Sequence, residues 1–244
     1  MPTELERKIF KGIALADAMG TATQGLSLNG IHSKYGSEGI QSPPIPLLIS
    51  DGTQQAIAAY STKNLETITS TELNNLSFAA LAGITFQMND AMLPRMCSDL
   101  KNDPDKEHQQ SILAGIATAY VMTLALDDIH PEQYLAKVWE LCSGIDEEFD
   151  MTIRKIGHVL GWGSEIHAIR HLGDGKQPYE IVTLALYCVM RYPDSYVDAV
   201  CRAANTPGNS HIIAAITGAI MSARNGVDDI LQDWQNLVDL ENLF

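Results

Sequence analysis

Basic residues are scarce in this chain. Its 244 residues include 16 Lys and Arg against 30 Asp and Glu, a formal net charge of −14. A nucleic-acid partner needs a basic stripe to neutralise phosphates, so this balance argues against one. It argues equally against an anionic membrane surface. A small anionic ligand stays open, because a helix start can hold a phosphate against an unfavourable overall field. Cysteine is sparse as well. Cys97, Cys142, Cys188 and Cys201 stand far apart in apolar helical patterns without C-x-x-C spacing, and read as reduced core thiols of a cytoplasmic protein. No secretory signal is recognisable, since Glu4, Glu6, Arg7 and Lys8 precede any apolar run. The uncharged stretch Ser111 to Leu126 is short for a membrane span and contains Ser, Thr and Tyr, so a buried core helix is expected there. Alternating strand patterns are nearly absent.

What is present is helical. With 45% hydrophobic and 19% charged residues, the chain is expected to be globular and long enough for one substantial core, read as a single domain over 1–244. Leu113, Ile116, Ala117, Tyr120, Val121 and Leu124 follow a helical period, as do Ile181, Leu184, Ala185, Cys188 and Val189. Ile212, Ala215, Ile216, Ala219 and Ile220 repeat it. Asp103-Pro104 and His130-Pro131 place proline at expected first helical positions. Pro193 closes one helix, and Asp194 or Ser195 is placed to cap the next. From about Gly20 to Ser50 the chain reads as one long irregular stretch, rich in Gly and Pro, and loops of that length in compact domains usually serve function.

Other features read plainly. Asp51 suits the start of a helix near Thr53, and Asn209 and Ser210 after Pro207-Gly208 are ordinary helix-start residues. His167 and His171 are four apart but lack a zincin glutamate and a third ligand, so a surface pair is expected. Asp127-Asp128, Asp146-Glu147-Glu148 and Asp228-Asp229 read as solvated helix ends. Trp139, Trp162 and Trp234 read as core anchors.

Several segments taken together carry a resemblance. Ser50-Asp51-Gly52-Thr53 opens the run QQAIAAY, and Asn205-Thr206-Pro207-Gly208-Asn209-Ser210-His211 opens IIAAITGAI. KGIALADAMGTATQGLS is similar to a G-x-x-x-G-D-A-x-G-x-x-x-E opening, with Ala16 in place of glycine and Gln24 in place of glutamate. Asn89-Asp90-Ala91-Met92 resembles an N-G-A-A segment, His108 resembles a histidine that follows it, and the stretch from Leu172 to Asn205 resembles a late helix pair. In this order the segments resemble the ADP-ribosylhydrolase family, of the dinitrogenase-reductase-activating glycohydrolase type.

The resemblance implies an all-α, compact single-domain orthogonal helical array. It also implies hydrolysis of a glycosidic bond to ADP-ribose by two magnesium ions held on motifs of the form T-D-D-T and N-x-G-G-D-x-D-[ST]-T. By that alignment Ser50 and Asp51 keep metal-site oxygens and Asp51 is the candidate catalytic residue. Gly52 has lost a carboxylate, Asn209 and His211 replace two aspartates, and Ile213 replaces a threonine. Gln24, Asn89 and His108 are the candidate substrate-binding residues. One remaining carboxylate of four does not offset the repulsion between two divalent ions about 4 Å apart. Two-metal catalysis is therefore expected to be lost, leaving at most a weak single site for magnesium, manganese or, through His211, a transition ion. ADP-ribose, an ADP-ribosylated protein or an ADP-ribosyltransferase is the implied partner. Three functions remain open: a binding protein without catalysis, a hydrolase with a rearranged single-metal site, and an interaction module on an inherited fold.

Overall fold

The computed structural model describes residues 2–62, 68–89, 91–226 and 229–239, so Asp90 and Asp228 of the segments above lie outside the described residues. Those residues form thirteen α-helices and no strand.

Two helices make the spine. α1 (Glu4–Thr21) begins with a capping box in which the Thr3 hydroxyl accepts from the Glu6 amide while the Glu6 carboxylate accepts from the Thr3 amide. α12 (Ser210–Asn225) lies antiparallel to it, because Gly12 meets Gly218 and Ser222 while Gly20 meets Ser210 and His211. The approach is set by small side chains. A Cβ added to Gly218 would stand 2.4 Å from the Ala16 Cβ and 2.6 Å from the Gly12 carbonyl oxygen. A Cβ on Gly20 would stand 2.4 Å from the Ser210 carbonyl oxygen. Backbones that close bury the seam completely, and every residue from Gly12 to Gly20 is buried.

Around the spine stand α4 (Leu76–Phe86), α6 (Lys106–Leu126), α10 (Pro178–Arg191) and α11 (Tyr196–Ala204). α4 is apolar on nearly all sides, as expected of a helix sandwiched between others; α3 (Asp51–Thr62) covers one flank and α6 the other. The outer helices are α5 (Met92–Leu100), α7 (Tyr134–Cys142), α8 (Glu147–Val159) and α9 (Glu165–Leu172), with short α13 (Gln232–Gln235) against α1. The periodic stripes read from sequence on α6, α10 and α12 face this core, with Tyr120 and Ile212 at its margins. α6 is the helix among the described residues that is long and apolar enough to cross a membrane, and 78% of that stretch is buried inside the fold.

The structure corrects several local expectations. The stretch from Gly20 to Ser50 is interrupted by α2 (Leu28–Tyr35), started by the Ser27 hydroxyl accepting from the Gly30 amide and ended at Gly36. Only Leu28 and Ile31 of α2 are buried, too few to make a period. Pro104 lies ahead of α6 because Asp105 takes the cap, its carboxylate accepting from the His108 amide. Asp146 is buried rather than solvated, capping α8 through the Phe149 amide at 2.8 Å. Trp162 is exposed and rests on His171, whereas Trp234 is buried. His167 and His171 are both exposed. The four cysteines are free thiols and buried.

Candidate functional site

The residue that organises the site is Asp17, fully buried on α1 within the apolar run Ile13–Met19. Its carboxylate accepts three hydrogen bonds from the start of α3: from the Ser50 amide at 2.6 Å, the Ser50 hydroxyl at 2.8 Å and the Thr53 hydroxyl at 2.8 Å. The Ser50 Oγ also accepts from the Thr53 amide at 3.3 Å, the interaction expected of an N-cap. Thr53 in turn shares a hydrogen bond of 3.1 Å with Ser77 on α4. A buried carboxyl group on α1 thereby fixes the position of α3. Burial pushes the Asp17 carboxyl above the usual carboxylate range, opposed by the donors on Ser50 and Thr53 and by nearby His211.

The second wall comes from the turn before α12. Asn205 is buried and fully engaged: its Oδ1 accepts from the Ile40 amide at 2.8 Å, and its Nδ2 donates to the carbonyls of Ile40 (2.9 Å) and Cys201 (2.7 Å). It ties the loop after α2 to the end of α11. Arg202 donates to the Asn205 carbonyl at 2.8 Å and pairs with Glu165, linking the turn to α9. Gly208 has φ +76°, a conformation open to glycine, and an added Cβ would meet the Asp174 carbonyl oxygen at 2.2 Å. The Asn209 Nδ2 donates to the Gly175 carbonyl at 3.1 Å and its amide donates to the same oxygen at 3.0 Å. Ser210 is buried, its hydroxyl donating to the Gly20 carbonyl at 2.9 Å.

Between these walls lies a cleft of about 300 Å³. Ser50, Gly52 and Thr53 reach it from the start of α3, Asn75 and Ser77 from the start of α4, Pro178 from the start of α10, and His211 from the first turn of α12. Four helix starts meet on one cavity. The Thr53 amide is taken by Ser50 and the Phe78 amide by Asn75, and Pro178 has none. The favour toward negative charge therefore comes from the helix dipoles and the remaining first-turn amides. Burial lowers the His211 pKa, opposed by Asp17, so the imidazole is neutral at pH 7. Its Nδ1 is buried without a hydrogen-bond partner among the described residues.

The structure thus brings Ser50 and His211 together in one cleft. Asp51 sits beside them as the exposed first residue of α3, and Asn209 precedes α12 with its amide turned to the 175–176 backbone. The other three candidates are not among the residues that line this cleft, although the Gly25 amide next to Gln24 donates to the Gly208 carbonyl at 2.9 Å. Gln24 is exposed on the turn after α1, and Asn89 is exposed beyond the end of α4. His108 lines a separate cleft of about 240 Å³ with Ser70, Asp99 and Asp103, and its Nε2 stands 3.7 Å from the Asp103 carboxylate. Sequence reading named Thr53 within the first motif and quoted Asp17 within the opening segment without giving either a role, and passed over Asn75 and Ser77. Only Asp17 left a signal, a lone carboxylate within an apolar helix.

The donors do not fit a pair of magnesium ions. Asp17 is engaged by Ser50 and Thr53, Gly52 offers no side chain, and His211 supplies a nitrogen where a hard oxygen is required. Among the described residues, no group of three or more His, Cys, Asp or Glu side chains is placed to hold a metal ion.

Comparison with known proteins accords with this architecture. One similar solved structure is described as "ADP-ribosylglycohydrolase-related protein complex". It is 18% identical, with a TM-score of 0.59 over 98% of this chain and 94% of that one, which is a likeness of fold. None of the curated proteins compared with the chain matches it significantly. The family model for ADP-ribosylglycohydrolases matches residues 79–243, beginning inside α4 and running through α12, while Asp17 and Ser50–Thr53 lie ahead of the match. That match spans more than half of the chain, which therefore belongs to the ADP-ribosylglycohydrolase family.

Proposed function

We propose that residues 1–244 form one cytoplasmic ADP-ribosylglycohydrolase-like domain that binds ADP-ribose, free or attached to protein, and has lost two-magnesium hydrolysis. The observation that carries this reading is the composition of the cleft at the starts of α3 and α12. The family's motifs place carboxylates there, whereas this chain presents Gly52, a neutral His211 and the hydroxyls of Ser50, Thr53 and Ser77. Such a cleft suits a polyol or a phosphate group without a bridging cation. The helix starts favour the negative charge of a pyrophosphate, and hydroxyl and amide side chains suit ribose hydroxyls. Asp51 remains as the one carboxylate of the motifs, exposed at the rim.

The test is calorimetric titration of ADP-ribose into protein freed of metal with a chelator. A dissociation constant in the roughly micromolar to millimolar range is expected, about −8 to −4 kcal/mol. His211→Ala should weaken binding, and Asp51→Ala should matter less. His108→Ala separates two placements of the ligand: a loss there would move the site to the cleft beside Asp103. Release of ADP-ribose from modified arginine or serine should be undetectable with magnesium, manganese, cobalt or zinc. Metal-dependent release that disappears in Asp51→Ala would establish the single-metal hydrolase instead. Neither heat nor thermal shift at saturating ADP-ribose would leave a protein-interaction module, with a transferase among its candidate partners.

A further inference from the structure

The segment from Met151 to Leu172 departs from the charge balance of the rest of the chain. It carries Arg154, Lys155 and Arg170 with three of the seven histidines, and Glu165 is its one acid. That carboxylate is already engaged, accepting from Arg191, Arg202 and Tyr192. Among the described residues, no carboxylate stands within ion-pair distance of Arg154, Lys155 or Arg170.

The fold lays these side chains on one face. On α8, the exposed Met151, Arg154 and His158 recur at helical spacing, opposite the buried Thr152, Ile153 and Ile156. The Arg154 guanidinium lies 5.0 Å over the Trp139 ring, which holds it in place without neutralising it. Beyond the end of α8 the Trp162 ring stands 5.3 Å from that of His171 and so joins this face to α9. There His167, Arg170 and His171 are exposed above the buried Ala168, Ile169 and Leu172. Glu147 and Glu148, in the first turn of α8, bound the face at one end.

Arg170 also forms part of the wall of a cavity of about 440 Å³, beside Leu28 and Pro207. The two acids that line this cavity have partners of their own. Asp174 pairs with Lys176, and Glu180 accepts from the amides of Lys176 and Gln177. The guanidinium of Arg170 is therefore left for a group from outside.

The make-up of this face is that of an interface. Trp, Met and Arg are enriched where proteins meet and carboxylates are depleted, and Trp and Arg dominate the energetic centres. Here Trp162 is 39% exposed and Met151 58% exposed, with free cations between and beside them. Charge then selects the partner. A long polyanion would be repelled by the net charge of −14, whereas a short acidic segment meets only the local cations. The imidazoles add hydrogen-bond donors for its carboxylates.

We propose that the joined face of α8 and α9, formed by Arg154, His158, Trp162, Arg170 and His171, is a docking surface for an acidic segment of a partner protein. The carboxylates of that segment lie on Arg154 and Arg170, and one of its apolar side chains packs on Trp162. The cavity beside Arg170 gives a neighbouring side chain a place to seat.

The test is fluorescence anisotropy of a rhodamine-labelled peptide of glutamates interspersed with leucines, titrated with the full chain without ADP-ribose. Saturable binding is expected, and it should weaken as salt is raised. Arg154→Glu combined with Arg170→Glu should weaken it about tenfold or more, and Trp162→Ala by about tenfold. His211→Ala should leave it unchanged, so the outcome is independent of ADP-ribose binding in the cleft. Peptides with glutamine or lysine in place of glutamate test the charge on the wild-type chain alone, and neither should bind. Absence of saturable binding, equal binding of the glutamine peptide, or unchanged affinity in the charge-reversed variant would overturn the proposal. So would tighter binding of a single-stranded oligonucleotide than of the acidic peptide. A dimer seen by light scattering and lost in Trp162→Ala would give the face to a second copy of the chain instead.

Discussion

Asp17 shows how much one side chain determines. It accepts from Ser50 twice and from Thr53 once, so Asp17→Asn places an amide N–H against at least one of those donors. A stability loss of about 1–3 kcal/mol is expected, read by urea denaturation. Asn205→Ala should cost a similar amount, because it leaves the Ile40 amide and carbonyl without their partner. Two acids and a histidine also set separate dependences on pH. The His211 pKa is lowered in the fold, so its contribution to stability is full above 6.5 and is lost as pH falls through the depressed value. Asp17 is raised, so its contribution is full below 3.8 and is lost as pH rises through the elevated value. For Glu165, burial raises the pKa, but the hydrogen bonds from Tyr192, Arg191 and Arg202 outweigh it and hold the carboxyl below 4.5. Its contribution is therefore present above 4.5 and lost below. Melting temperatures across a pH series should flatten just below 6.5 in His211→Gln. In Glu165→Gln the melting temperature should fall above 4.5 while the pH dependence flattens only below it, and a variant that altered the slope in the other window would contradict this assignment.

At the scale of the element, the α1–α12 seam positions the cleft, since Gly20 lies directly against the Ser210 carbonyl and the His211 Cα. Gly218→Ala should destabilise by about 1–3 kcal/mol through overpacking against Ala16 and the Gly12 backbone. Ala16→Gly should restore part of that loss, because it removes one of the two obstructions, whereas Gly161→Ala, with open space around it, should be nearly neutral. Chemical denaturation of Gly218→Ala, of Gly218→Ala combined with Ala16→Gly, and of Gly161→Ala checks the set, and equal effects at Gly218 and Gly161 would remove the seam as the explanation. Elements of this kind differed in how openly the sequence displayed them. α6, α10 and α12 were legible because each repeats apolar residues at a helical period and buries them. α2 was not, since it buries two residues of eight and is specified by the Ser27 cap and Gly36. The meeting of Ser50 with His211 followed from resemblance alone. What anchors them did not, because the contacts of Asp17 with Ser50 and Thr53 span more than thirty residues and have no local pattern.

At the scale of the whole molecule, stability is expected to come from the hydrophobic cluster joining α1, α4, α6, α10, α11 and α12, not from a bound ion. A protein that holds magnesium specifically gains RT ln(1 + [L]/Kd) from it, about 4.1 kcal/mol when the free ion is at 1,000 times Kd. This chain should gain almost nothing by that route, so chelator treatment and added magnesium should leave the melting temperature unchanged. The net charge of −14 introduces a competing effect, because any divalent cation screens repulsion among thirty carboxylates. The measurement must therefore compare magnesium with sodium at equal ionic strength, and wild type with Asp51→Ala. A rise specific to magnesium and lost in Asp51→Ala would reveal an ion at the start of α3 and overturn the metal-free reading. A rise shared by both proteins would be screening. ADP-ribose added to the chelated protein should behave differently from either, raising the melting temperature with a concentration dependence that His211→Ala weakens.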